Sequence, residues 1–364
     1  MKKFTKLVLA TSVAFSANAM AMQAMDDASL SETTGQDGLT IGIGISKIAI
    51  EKLFIHDNDG LNGIKDATTG VAPNAGAIVI RGKTDTAPDA NALANPTTAT
   101  HGVVIGANYD DNGAYLLQSR NLADLVIDSD AGGGNPFINV AAQVSGLDIK
   151  IGRIGVTASG VKGAGENANT IRRGGGAVVN DIISGLDIKT GVMNANIQLG
   201  AAPQGAMIKL NTIMKGGLTI NNLGILDNST NGGILAENVE VKHPVSGDVL
   251  FSGDLQTRAA GEIFIESIKI TNAKSNDLTI SQNISVFNDA YVGTDAAAPI
   301  GKAAHVRIVS LDTGAKDQYI QGIHLGNREA RSSIGDMEVQ GLQTFYSPEQ
   351  GTYNKGAIFT ISGH

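Results

Sequence analysis

Leu39-Thr40-Ile41-Gly42-Ile43-Gly44-Ile45-Ser46-Lys47-Ile48-Ala49-Ile50-Glu51-Lys52-Leu53-Phe54-Ile55 is the stretch on which the fold turns. Its apolar residues first stand two apart, at Leu39, Ile41, Ile43 and Ile45, which places them on one side of an extended strand. The phase then slips by one residue, and apolar pairs recur as Ile48 with Ile50 and Leu53 with Ile55. Neither a helix nor a flat strand has this local period of five, so each slip calls for a bulge or a corner.

The same apolar-x-apolar-x-x unit returns along the chain. It is found as Leu147, Ile149, Ile151, then Ile154 and Val156; as Leu218, Ile220, then Leu223 and Ile225; and as Ile263, Ile265, then Ile268 and Ile270. Ser145-Gly146-Leu147-Asp148-Ile149-Lys150 is echoed by Ser184-Gly185-Leu186-Asp187-Ile188-Lys189, and the spacing of the other echoes is irregular. These units predict an all-β body over residues 38–364, elongated, either β-solenoid-like or a bulged β-sandwich built from repeated Leu-x-Ile strands. Loops are expected at Asp85–Thr100, Ala158–Gly176 and Asp289–Ala303, where Pro, Asn, Asp and Gly gather. Only Ala123–Val126 and Asn327–Ser333 offer a short helical turn. The apolar stripe reads as a packed core rather than a lipid groove, because an alternating face must be buried for the chain to fold.

Upstream, Lys2, Lys3 and Lys6 precede a short apolar run from Leu7 to Ala17, with small-x-small sites at Ala17-Asn18-Ala19 and Ala19-Met20-Ala21. This is the pattern of a secretory signal peptide, residues 1–21, in a short helix, followed by a flexible segment 22–37. The apolar run is shorter than the roughly 20 residues needed to span a bilayer, and no transmembrane helix is expected elsewhere. An extracytoplasmic location, periplasm or cell surface, follows.

Composition narrows the chemistry. There is no cysteine, hence no lipoprotein acylation site, no disulfide framework and no thiolate metal site. Removing residues 1–21 takes three lysines and no acid, moving the net charge from −8 to −11, so nucleic acid and anionic lipid surfaces are poor partners. Forty-six glycines, 4% aromatic residues and no tryptophan describe a turn-rich chain with an aliphatic interior, and lack the aromatic girdles of an outer-membrane barrel.

No motif establishes an activity. Ala77-Ile78-Val79-Ile80-Arg81-Gly82-Lys83-Thr84 fits a loose P-loop pattern, but its loop positions are β-branched and Pro88 follows where a helix should begin. Asp57, Asp59 and Asn62 resemble part of a calcium loop, yet Leu61 stands at the fifth position and no glutamate at the twelfth, so an Asp/Asn/Gly turn is the simpler reading. Asp128-Ser129-Asp130 is weaker still. The histidines His56, His101, His243, His305, His324 and His364 stand singly. No catalytic constellation is present, no cofactor is called for, and an enzyme is not expected.

Met22-Gln23-Ala24-Met25-Asp26-Asp27, then Leu30-Ser31, then Thr34-Gly35-Gln36-Asp37-Gly38-Leu39-Thr40-Ile41 resembles the mature N-terminus of exported proteins of the FilA pilus-assembly family. The resemblance implies a non-enzymatic component of a surface filament (pilus or fimbria), with Thr34, Gly35, Gln36, Asp37 and Gly38 as an interaction segment. Its partners would be other filament or envelope proteins, or further copies of itself. The apolar N-terminal helix of a type IV pilin is missing, and the chain is longer than a chaperone-usher pilin. Strand-mediated association in a filament is therefore the expected function, with a binding module for lipid or another hydrophobic ligand as the alternative.

Overall fold

The structure, a computed structural model, describes residues 38–60, 74–84, 91, 95–164, 167–228, 236–242, 245–255, 260–287, 304–326, 332–347 and 350–362. Residues 1–21, expected as a signal peptide, the segment 22–37 and the expected loop Asp289–Ala303 lie outside them.

The described residues fold as eight long runs, each kinked on the way. Run 1 joins β1 (Leu39–Ile43), β2 (Lys47–Ile50) and β3 (Leu53–His56); run 2 joins β4 (Gly76–Arg81), β5 (Val103–Ala107) and β6 (Ala123–Asp130). Run 3 joins β7 (Phe137–Val144), β8 (Leu147–Ile151) and β9 (Arg153–Ser159); run 4 joins β10 (Gly175–Lys189) and β11 (Met193–Gly200). Run 5 is β12 (Ile208–Met214) with β13 (Leu218–Asp227), and a separate hairpin of β14 (Ala236–Lys242) and β15 (Val249–Leu255) follows it. Run 6 is β16 (Gly261–Asn272) with β17 (Leu278–Phe287), and run 7 is β18 (His305–Ser310) with β19 (Lys316–Gly326). Run 8 is β20 (Ser332–Leu342), a small hairpin of β21 (Phe345–Tyr346) and β22 (Asn354–Lys355), and β23 (Ala357–Ser362).

Two large sheets result. Sheet A has the order β1-β6-β7-β11-β12-β17-β18-β23, and the main path of sheet B is β2-β5-β8-β10-β13-β16-β19-β20, with β3, β4 and β9 extending it. Each run therefore contributes one strand to sheet A and one to the main path of sheet B, in the same order, and runs 1 to 3 add a second strand to sheet B. The two sheets are the two leaves of one up-and-down meander, creased where every run passes from A to B. Eight strands at about 4.8 Å spacing make it roughly 34 Å across.

Among the described residues every ladder between the runs is antiparallel, and neither sheet closes into a barrel. Stacked solenoid coils would give parallel ladders, so the coil reading is replaced by a bent meander. The phase slips have structural counterparts: the one after Ile45 falls at the crease between β1 and β2, and those after Ile151, Ile220 and Ile265 fall at Gly152, Asn222 and Glu266, where sheet B kinks, as it does at the Gly185 bulge. Ala123–Val126 is strand β6 and not a helical turn, since it pairs along its length with β1 and β7. Ser332 and Ser333 likewise belong to β20, while Asn327–Arg331 lie outside the described residues. The expected loop Ala158–Gly176 is shorter by two residues at each end.

The echoed hexapeptides explain themselves in three dimensions. Ile149 lies opposite Ile188, Asp148 opposite Lys189 and Lys150 opposite Asp187. A Leu-Asp-Ile-Lys segment is thus complementary to its own copy when the two run antiparallel, with isoleucine pairing on one face and opposite charges on the other.

The creases are held by carboxylates and close backbone approaches. Asp277 binds Lys215 and the Gly216 amide, Asp317 accepts from the amides of Lys274 and Gly341, and Asp336 accepts from the Gly322 amide and the Tyr319 hydroxyl. These bonds hold all three carboxyls below the usual range. Gly152 donates its amide to the Gly102 carbonyl at 2.8 Å, and a Cβ there would overlap the Arg81 carbonyl oxygen.

Two outcomes follow. Gly152→Ala should lower the unfolding free energy by about 1–3 kcal/mol in denaturant titrations, because only backbone can give way. Gly261→Ala, where a Cβ meets open space, should stay within about 0.5 kcal/mol of the parent. Because folding lowers the pKa of Asp277, Asp317 and Asp336, their ionised forms favour the folded state above the unfolded value of about 3.9. That contribution is lost as pH falls through the folded values, so the melting temperature should drop in acid, and drop less in Asp317→Asn/Asp336→Asn.

Candidate functional site

Apolar side chains recur on all eight runs, and the ladder registers show how they align from run to run. In sheet B, Ile48 faces Ile105, then Ile149, Ile188, Ile220, Ile268, Ile320 and finally Met337, a row that crosses every run. Sheet A carries an equivalent row, Leu39, Ile127, Val140, Ile197, Ile208, Ile284, Ile308 and Phe359. Further out in sheet B, Leu53, Ile80, Ile154, Ile183, Ile225, Ile263 and Leu325 form a third, ending opposite Ser332.

The exposure of these residues shows which way the sheet bends. At the crease, Thr212, Met214 and Leu278 are each 4% exposed. At the outer margin of sheet A, Leu39, Ile138, Leu199, Val286 and Ile361 are 45–61% exposed, and at that of sheet B, Ile55, Ile78, Val156, Ile225, Ile263 and Leu325 are 42–59% exposed. Side chains crowd at the bottom of a concave bend and spread at its rims; on a convex bend the gradient would be reversed. The apolar face is therefore sheltered along the crease and opens toward both margins as a shallow trough, while in the outer part of sheet B the opposite face, with Ala77, Val79 and Phe264, is the more sheltered one.

It is not a packed core. Of the isoleucine row in sheet B, only Ile320 is buried; Ile105, Ile149, Ile188, Ile220 and Ile268 are half-buried, and Ile48 and Met337 are exposed. In a closed sandwich, residues at the centre of facing sheets lose nearly all contact with water. The expectation of a core is corrected here for a simple reason: one folded layer has too little opposing surface to cover its own inner face. A notch of about 400 Å³ opens in the rim of sheet A, between Leu199 and Val286, where β12 is shorter than its neighbours β11 and β17.

The outer face carries most of the polar side chains and many of their hydrogen bonds, although one buried carboxylate oxygen of Asp148 has no hydrogen-bond partner among the described residues. Asn196 donates to Asn139 at 2.8 Å and to Gln204 at 3.0 Å, and Gln198 donates to Asn139 at 3.0 Å. Lys189 reaches Asp110 at 2.8 Å, and Asp181, buried, receives Arg81 at 2.9 Å and Arg153 at 3.3 Å. On the outer side of sheet B, Ala77, Val79 and Phe264 make a small second core.

The residues singled out in the sequence do not converge. Asp57 follows β3, and its carboxylate accepts the Asp59 amide at 3.2 Å as in an ordinary Asx turn; Asn62 lies outside the described residues. Among the described residues no three His, Cys, Asp or Glu side chains come together as metal ligands. Thr34, Gly35, Gln36 and Asp37 also lie outside, while Gly38 leads into β1 at a point where a Cβ would overlap the Asp128 carboxylate. Ala77–Arg81 of the P-loop-like stretch is strand β4, paired on both sides. Asp128, Ser129 and Asp130 are in β6, with Asp130 accepting the Gly132 amide.

Of the histidines, His101 is buried against Thr100, His305 stacks on Phe287, and His324 meets Glu266 at 3.1 Å; His243 and His364 lie outside the described residues. His56 stacks on Phe54, with Nδ1 at 2.8 Å from Ser159 Oγ, an approach that sequence spacing of 103 residues conceals. Ser159 Oγ also accepts from Arg173 at 2.7 Å, and burial, then the Arg173 charge, lowers the His56 pKa. A neutral imidazole between an aromatic ring and a guanidinium-bound hydroxyl serves to tie β3 to β9 and the loop after it.

A family model described as "Family of unknown function (DUF6160)" matches residues 1–100, which take in run 1 and β4. Comparison with curated proteins and with solved structures gives no match. Among the described residues no helix is long and apolar enough to cross a membrane.

Proposed function

We propose that this protein is an extracytoplasmic binding module for acyl chains or similarly flexible aliphatic ligands, which lie in the trough along the isoleucine rows. The observation that carries this reading is the half-exposed inner face, apolar on all eight runs and continuous from run 1 to run 8. Exposed apolar patches of this extent mark interaction surfaces. The lining chemistry favours a lipid chain over a protein: protein interfaces are enriched in aromatic residues and Arg and carry regular hydrogen bonds, whereas these rows are almost wholly Ile, Leu and Val. The absence of polar groups along them suits a ligand that needs no fixed orientation. The outer face, with its charged rows, keeps the loaded particle soluble in an aqueous compartment.

Native mass spectrometry of protein purified from its own host should show co-purifying species of lipid mass. Ile220→Gln, at the middle of the row, should weaken displacement-assayed fatty-acid binding by about five- to tenfold while circular dichroism stays unchanged. Protein that is lipid-free by mass and indifferent to this substitution would sink the reading.

A second reading, a structural component of a surface filament, is favoured by a separate observation. Among the described residues, run 1 and run 8 each pair on one side only, leaving a free sheet edge at both ends. Such edges associate by strand addition. Negative-stain microscopy of wild-type cells beside a deletion strain should show fewer or altered appendages in the latter.

A further inference from the structure

We infer that the two free edges fit one another, so that copies of this chain join head to tail into one continuous sheet and one continuous trough. This deepens the filament reading by naming the partner and the register.

Strand polarity supplies the first argument. Successive runs alternate in direction, and there are eight of them, so run 8 points opposite to run 1. A second copy placed beyond run 8 therefore brings its own run 1 alongside in antiparallel orientation. Its apolar face then continues on the same side of the sheet, as a ninth strand of the meander would. An odd number of runs would have forced a parallel junction or reversed the faces.

Register supplies the second. The sheet A row runs from Leu39 to Phe359, so carrying it across the junction sets Leu39 of the second copy opposite Phe359, Thr40 opposite Ile358 and Ile41 opposite Ala357. The sheet B row runs from Ile48 to Met337, and its continuation sets Ile48 opposite Met337 and Lys47 opposite Glu338. Apolar residues thus meet within each row, and at the rows' alternate positions Thr40 meets Ile358 in sheet A while Lys47 meets Glu338 in sheet B. It is the same arrangement by which β8 and β10 pair inside the molecule, with Asp148 across from Lys189. Lys47 and Glu338 are both exposed.

The third argument is what the edges lack. Natural proteins protect free edges with Lys, Pro or bulges. In β1, Leu-Thr-Ile-Gly-Ile, and β23, Ala-Ile-Phe-Thr-Ile-Ser, there is no charge and no proline, and neither strand has a register shift against its neighbour. The sheet A edges are thus unprotected, while in sheet B Lys47 on β2 and the register shifts and acidic residues of β20 leave the charge pair to set the junction. Matching edges at opposite ends of one molecule describe a heterologous interface, which propagates into an open filament rather than closing as a dimer.

Because the chain contains no cysteine, single-cysteine variants report contacts cleanly. Thr40→Cys and Ile358→Cys, purified separately in processed form and mixed under mild oxidation, should give a disulfide-linked dimer, while neither alone does. Directly opposed antiparallel residues have Cα atoms about 4.5–5.5 Å apart, within disulfide reach. In sedimentation velocity the parent should grow in mass with concentration. Lys47→Glu or Glu338→Lys should weaken this about tenfold, and the two together should restore it. Monomer at every concentration, cross-links only between like variants, or failure of the double charge reversal to rescue would each overturn the inference. None of these outcomes bears on lipid occupancy, and deletion-strain microscopy separately tests whether the protein belongs to an appendage at all.

Discussion

Everything in this molecule depends on the cross-strand alignment of aliphatic side chains on one face of a single creased sheet. A row such as Ile48 to Met337 ties eight runs together through seven side-chain contacts between neighbours. Each such pair contributes about 0.2–1 kcal/mol beyond the backbone ladder, and three rows repeat the arrangement. A one-residue slip in any run would turn its apolar face outward, so the rows also fix register. Stability is therefore lateral, carried from strand to strand, and not concentrated in a central core.

That arrangement brings its own shortfall. One layer can shelter its inner face only by bending over it, and the crease does this fully at Met214 and Leu278 but hardly at all at Val286 or Leu325. The exposed rims and the two open edges are the same shortfall seen in two directions. A ligand in the trough would relieve the first, and a neighbouring copy at the edges the second. The acyl-chain and filament readings are thus compatible: a head-to-tail assembly would lengthen the trough without altering its lining.

The sequence made parts of this legible and hid others. The strands were readable because alternation is local: Leu39, Ile41 and Ile43 share a face whatever they pair with. The creases were readable because a phase slip between Ile43 and Ile48 has few backbone solutions. The echo of Leu147–Lys150 in Leu186–Lys189 was visible as repetition, but its meaning as an antiparallel, charge-complementary pair was not, since a repeated segment is equally compatible with parallel stacking. His56 and Ser159 were invisible as neighbours, being separated by 103 residues. Ala123–Val126 could form a helical turn by sequence but is strand in the fold, because four residues carry too little periodicity to resist the pairing that β1 and β7 impose.

By itself, then, the sequence determined an all-β chain with one apolar face and frequent corners, since these follow from side-chain period and glycine placement along neighbouring residues. Only the tertiary structure decided that the strands meander instead of coil and that the apolar face lines an open trough instead of a core. The reason is that strand direction and the opposing surface available to a face depend on residues far apart in the chain, about which local alternation carries no information.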